Sequence, residues 1–264
     1  MSEEKRVFEH NGIIYHQASW QSDDVLKDLD SWQIQISEET KAAIHAALWR
    51  NITSEYDSVF LSKQIQANAK QLSPEVLTFE RLWFPDEVNH YRGLLKIYSK
   101  IYDRNENEVD EEIKARIPDF SNFDFLFKDE FLFCINFAYV ELVGTRGYAE
   151  VFPIYDSYAV PALSKWVRLA ARDEMYHFLN MKNIIQKCYQ KQIPKVPSIL
   201  RKIVENEHVR SDEYKATFLF DHDPPTTSAS SFFFKKCAND ICRYLSTTLV
   251  FEGLARNEKG YLYK

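Results

Sequence analysis

Four stretches of the chain place apolar residues at helical spacing, and each stripe is interrupted by a group that carries charge. Around Glu87 and His90, the positions one turn or two turns away include Trp83, Phe84, Tyr91 and Leu94. Around Glu174 and His177 they are Val167, Ala170, Ala171, Phe178 and Met181. Phe131 to Val143 is almost wholly apolar apart from Glu141. Glu55 shares its face with Leu48, Ile52 and Val59, but also with Ser58 and Ser62, so that stripe is mixed.

Helix signals frame these stripes. Ser37 reads as an N-cap, with Glu38 and Glu39 in the first turn of a helix running to about residue 71. Ser73-Pro74-Glu75 opens a second helix reaching about residue 102, with Pro85 expected to kink it. A third spans about 127–151 and ends near Pro153; a fourth starts between Ser157 and Pro161 and runs to about 191. After the break at Ile193 to Pro197, shorter helices are expected over about 198–215 and 230–250, with Asp221 to Ser231 as a loop. Residues 1–36 read as irregular, with at most a short strand at Gly12 to Tyr15, and Asp103 to Glu112 reads as a solvated connection.

Composition agrees with long helices around a dense core. The 264 residues include only six Gly and nine Pro, and 15% are aromatic. The expectation is an all-α protein of one domain over 1–264, a four-helix bundle with core helices about 38–191 and additional C-terminal helices over 192–264. A formal charge of -6 without basic runs argues against nucleic acid as a partner. Cys134, Cys188, Cys237 and Cys242 form no CxxC pair, which suits reduced thiols in a cytoplasmic protein. The Met-Ser-Glu-Glu-Lys-Arg start leads into no apolar signal region, and the 131–143 run is too short to span a membrane.

The chemistry lies in two copies of Asp-Glu-x-x-His, Asp86 to His90 and Asp173 to His177. Glu and His three apart on a helix point the same way, so each copy offers a carboxylate and an imidazole to one point. Two such helices, with one Glu from each of two more, form the ligand set of a carboxylate-bridged two-metal site. Spacing alone is weak, because seven His allow chance matches; Glu205 to His208 is one, set among Arg201, Lys202, Arg210 and Asp212. The first two copies differ in lying on apolar stripes, where an ionised carboxylate is costly unless paired or bound to a cation. Glu141 and Glu55 complete the set, with Asp57 and Glu80 as competitors for the place of Glu55. Buried Glu–His hydrogen bonds without a metal are the alternative. Carboxylate-rich ligands favour iron over zinc, and manganese shares that preference.

The order lone Glu, Glu-x-x-His, lone Glu, Glu-x-x-His over residues 38–190 resembles the ferritin-like di-iron carboxylate proteins. Within them, Asn51-Ile52-Thr53-Ser54-Glu55 and Ala171-Arg172-Asp173-Glu174 with His177 are similar to motifs of the soluble acyl-carrier-protein desaturases. The intervals between Glu87, Glu141 and Glu174 suit that family as well. The resemblance implies a ferritin-like fold with metal ligands Glu55, Glu87, His90, Glu141, Glu174 and His177, and two Fe ions as cofactor. It further implies that Asp173 bonds His90 and Asp86 bonds His177, and that Thr145, displaced by one residue from the family position, assists oxygen activation through a π-bulge near Gly144. Ribonucleotide reductase small subunits carry a radical Tyr where this chain has Leu94, and di-iron N-oxygenases carry a His where it has Ala170. Tyr91, in place of a family Gly, together with Arg146, narrows or polarises the expected acyl pocket.

The expected function is O2-dependent oxidation of an unactivated C–H bond, desaturase-like. The substrate would be an acyl group on acyl carrier protein or a small molecule, and the electrons would come from a ferredoxin-type donor to a homodimer. The alternatives are a di-iron N-oxygenase or hydroxylase of secondary metabolism, or a non-enzymatic metal-binding or structural bundle. Trp83 and Trp166 are candidates for electron transfer, with core packing the plainer role. Phe232 to Lys236 is a candidate for closing the pocket or meeting a partner.

Overall fold

The computed structural model describes residues 4–118 and 124–210, with 240, 242–245 and 247–249. The Asp221 to Ser231 loop, the Phe232 to Lys236 segment and most of the 230–250 helix lie outside the described residues.

Four long helices organise the chain: α2 (Glu38–Ala67), α3 (Pro74–Tyr102), α5 (Glu130–Glu150) and α7 (Pro161–Cys188). Ser37 caps α2 by accepting from the Thr40 N–H, and Ser73 caps α3 by accepting from Val76. Asp129 does the same for α5 through Leu132. The short link between α2 and α3 makes them antiparallel. Ser62 and Gln66, late in α2, bond to Glu80 early in α3, while His45 early in α2 meets Tyr98 late in α3. α5 and α7 are antiparallel in the same way: Tyr189, just past α7, donates to Glu130 at the start of α5, and Tyr148 near the end of α5 meets Trp166 near the start of α7. Contacts between α3 and α7 join the two pairs.

Several expectations change. The protein is mostly helical but not all-α, because residues 4–19 form an antiparallel hairpin, β1 (Glu4–His10) and β2 (Ile13–Ser19), in place of an irregular N-terminus. Asn11 and Gly12 both adopt positive φ, 54° and 74°, the pattern of a two-residue type I′ hairpin loop. That Asn-Gly signal was present in the sequence. Ile13, Tyr15 and Ala18 of β2 are buried, and Asn180 of α7 donates to the His16 carbonyl and accepts from its N–H. The hairpin therefore packs on α7, held in part by backbone groups that would otherwise lack partners. Asp103 to Glu112 is not a bare connection. A nine-residue helix, α4 (Glu106–Lys114), capped by Asn105, buries Val109 and Ile113 one turn apart. By contrast, α3 runs on to Tyr102 as expected, with Pro85 exposed inside it. Two short helices, α1 (Ser22–Val25) and α6 (Phe152–Ser157), precede α2 and α7, and α8 (Val196–Arg210) follows them.

Two hydrophobic clusters fill the interior. One gathers Leu61, Phe79, Trp83, Phe137, Phe178 and Met181; the other gathers Ile52, Leu94, Tyr98, Tyr148, Trp166 and Val167. The boundary cuts each long helix at one level: between Ile52 and Leu61 on α2, Trp83 and Leu94 on α3, Leu142 and Tyr148 on α5, and Ala171 and Phe178 on α7. Glu55, Glu87, His90, Glu174 and His177 fall inside those intervals, and Glu141 lies beside the one on α5. The polar groups thus form a layer inside an otherwise apolar interior. Among the described residues, no helix is long and apolar enough to cross a membrane.

Candidate metal centre

The six candidate ligands come from four helices and meet. Glu55, Glu87, His90 and Glu174 each place a ligand atom within 4.8 Å of the others, and Glu87, Glu141, Glu174 and His177 do the same. Glu87 and Glu174 belong to both groups. All six residues are buried, none more than 8% exposed.

The two imidazoles are held alike. His90 turns Nδ1 inward, 3.3 Å from Glu174 Oε1 and 3.5 Å from Glu55 Oε2, while its Nε2 lies 3.3 Å from Asp173 Oδ2. His177 turns Nδ1 toward Glu141 Oε2 at 3.1 Å and Glu87 Oε1 at 3.3 Å, and its Nε2 lies 3.2 Å from Asp86 Oδ2. Each Asp-Glu-x-x-His copy therefore supplies the outer Asp for the other copy's His. A proton on Nε2, donated to that Asp, leaves the Nδ1 lone pair pointing into the cluster, the tautomer that a ligand needs.

Charge in this layer is strained without a cation. Burial pushes the Glu87 carboxyl well above the ordinary carboxylate range, with Glu55, Glu174 and Glu141 adding to it. Burial raises Glu141 too, reinforced by Glu174. Burial also opposes ionisation of Glu174, but His90 and His177 outweigh it and draw that carboxyl down. Burial disfavours charged imidazoles, yet Asp86 and Glu141 carry His177 up to about 10, and Glu55 and Asp173 help to raise His90. Three inward atoms, Glu55 Oε2, Glu87 Oε1 and His90 Nδ1, have no hydrogen-bond partner. Native interiors rarely leave such atoms unsatisfied. Carboxylates and neutral imidazoles converging on one place, with unsatisfied atoms pointing inward, fit two divalent cations that would replace the shared protons.

The competitors are engaged elsewhere. Glu80 accepts from Ser62 and Gln66 and joins neither group; Asp57 pairs with Arg116 at 3.1 Å. Thr145 does not turn inward. Its hydroxyl donates to the Glu141 carbonyl one turn back at 2.9 Å, and α5 passes Gly144 as regular α-helix without the expected π-bulge. Gly144 instead provides space, since a Cβ there would meet Glu174 Oε2 at 2.8 Å. Arg146 is exposed. Trp83 packs against Phe79 and Phe137 in the core. The side chains of the Glu205 to His208 match lie outside the described residues.

Two neighbours of the site were missed. Tyr148 donates its hydroxyl to Glu55 Oε1; it sits two turns beyond Glu141 on the same face of α5, so helical spacing was the available signal. Trp20 donates its indole N–H to Asp173 Oδ2 at 2.5 Å. No local pattern links Trp20 to a residue so distant in sequence.

Comparison with protein-family models, with curated proteins and with solved structures found no match to this chain. The chain is accordingly a helical protein with a candidate two-metal site of buried carboxylate and imidazole groups, identified by its geometry.

Proposed function

We propose that this chain is an O2-dependent non-haem di-iron oxidoreductase of ferritin-like fold that oxidises an unactivated C–H bond. The observation that carries this reading is the pair of overlapping buried groups sharing Glu87 and Glu174. Glu55, Glu87, His90, Glu141, Glu174 and His177 would hold the metals. When bound, two ferrous ions supply the capacity to reduce O2 and so to attack a strong C–H bond. The protein's own work is different. Asp86 and Asp173 fix both imidazole tautomers, Tyr148 holds one oxygen of Glu55, and the two apolar clusters keep bulk water from the reacting layer. Thr145 would assist only if its hydroxyl left the Glu141 carbonyl.

The resemblance to acyl-carrier-protein desaturases supports an acyl substrate on its carrier, a ferredoxin-type electron donor and a homodimer. A free small molecule is the second reading of the substrate, favoured by a pocket of only about 340 Å³ that reaches Glu55 between α2, α3 and α4.

Anaerobic ferrous loading followed by elemental analysis tests the centre. The expected result is about two irons per chain, lost in the Glu141→Ala, Glu174→Ala double variant while its circular dichroism stays helical. A wild-type chain that retains neither iron nor manganese in stoichiometric amount would overturn the oxidase reading and leave Glu–His pairs buried for packing.

A further inference from the structure

We propose that the pocket between α2, α3 and α4 is the substrate mouth of the metal centre, and that it takes a small zwitterion of the amino-acid type. The hydrocarbon side chain would point at Glu55, with the ammonium and carboxylate at the rim. This inference rests on the metal-centre reading and names its substrate class.

Glu55 lines the pocket and is more than nine-tenths buried, which marks the pocket's inner end. Its Oε2 has no hydrogen-bond partner, and the residue also belongs to the first metal group. A molecule seated there would therefore approach the ligand cluster directly. The walls are amphipathic: the rings of Tyr56 and Tyr91 lie 5.0 Å apart, beside Val59, Val88 and Leu95. A hydrocarbon or aryl group is matched to that surface.

The rim has a different character. α4 turns Val109 and Ile113 inward and gives the pocket its polar side, Glu106, Asn107, Asp110 and Lys114. Asp110 accepts from Tyr91 Oη at 2.6 Å and from Lys114 Nζ at 2.5 Å. Those bonds fix the Tyr91 wall and balance two of the rim charges against each other. Arg92 on α3 and Glu106 on α4 then supply one exposed charge of each sign, one from each lip. A ligand bearing only a carboxylate would pair with Arg92 and leave Glu106 unused, and one bearing only an ammonium would pair with Glu106 and leave Arg92 unused. A zwitterion satisfies both. Size points the same way: about 340 Å³ is at the low end for small-molecule sites and suits roughly a dozen heavy atoms rather than a long acyl chain.

Calorimetric titration of the full chain, metal-free and after anaerobic ferrous loading, tests the assignment with L-norleucine, L-phenylalanine, hexanoate and pentylamine. Norleucine and phenylalanine should each saturate one site, with norleucine about tenfold tighter than either single-charge counterpart. Arg92→Ala and Glu106→Ala, both at exposed positions, should each weaken norleucine about tenfold without changing the iron content. Hexanoate or pentylamine binding as tightly as norleucine would overturn the assignment, as would failure of both amino acids to saturate or indifference to both rim variants. Elemental analysis of the same samples separates the two claims. Iron without amino-acid binding sinks the pocket assignment alone, whereas amino-acid binding without iron sinks the metal-centre reading and the substrate role with it.

Discussion

A methyl group added at Gly93 would lie 2.1 Å from Trp166 Nε1 and 2.6 Å from Ser22 Oγ. Those two atoms hydrogen-bond each other at 2.8 Å, and Trp166 packs beside His90. Gly93→Ala should therefore destabilise the protein by about 1–3 kcal/mol, the usual range for overpacking, read as a lower urea midpoint; an unchanged midpoint would contradict the close approach. Asp173→Ala acts on the site itself. It removes the acceptor of both Trp20 Nε1 and His90 Nε2, and metal affinity should fall about 10–100-fold, measured by competition with a chromogenic chelator. Loss of helicity without loss of affinity would show Asp173 to be structural only. The Glu-x-x-His spacing made four of the six ligands legible, because three residues on a helix fix a shared direction. Tyr148 was readable in principle by the same rule. Trp20 was not, since nothing local couples it to α7.

Among the elements, α4 shows how composition misleads. Its acidic, polar sequence reads as a connection, yet Val109 and Ile113 give it one buried edge and Asn105 gives it a cap. Ile113→Ala should loosen α4 locally by about 2–4 kcal/mol, seen as faster amide exchange over residues 106–114 with bound iron unchanged. If exchange quickens equally in α2, α3, α5 and α7, then α4 is part of the global fold rather than a local flap. The hairpin was missed for another reason. Its Asn-Gly turn was visible, but strand β1 has little apolar alternation, and its partner surface on α7 comes from a helix far along the chain. Pro85 is the opposite case: the sequence places it inside a helix that continues to about residue 102, and α3 holds it there.

For the whole molecule, the polar layer between two apolar clusters sets the pH response. Glu87, Glu141, His90 and His177 all have raised proton affinity in the metal-free fold. The folded chain thus keeps protons that the unfolded chain releases. Their stabilising contribution is full below the unfolded values and is lost as pH rises, starting near the ordinary carboxyl value of 4.5 and continuing until His177 titrates at about 10. Glu174, drawn down, has the opposite sign, and its contribution fades only in acid. Metal-free protein should accordingly melt at lower temperature at pH 9 than at pH 6, and metal binding should release protons and tighten with pH. Calorimetric titration in buffers of different ionisation enthalpy measures that release; a proton count of zero would be incompatible with the buried, protonated layer.

The sequence alone carried the four long helices, the Ser37 and Ser73 caps of the first two, and the faces that bear the Glu and His groups, because helical period and N-cap chemistry act within a few residues. It also supplied the outer Asp partners, through motif resemblance rather than spacing. The structure bears out that crossing, each Asp serving the other copy's His. Packing in three dimensions then selected Glu55, rather than Asp57 or Glu80, for the cluster. It alone returned the Thr145 hydroxyl to its own helix and opened the pocket beside Glu55. These outcomes depend on which helix faces meet across antiparallel pairs, and that relation is set by packing the two apolar clusters around a layer of charge.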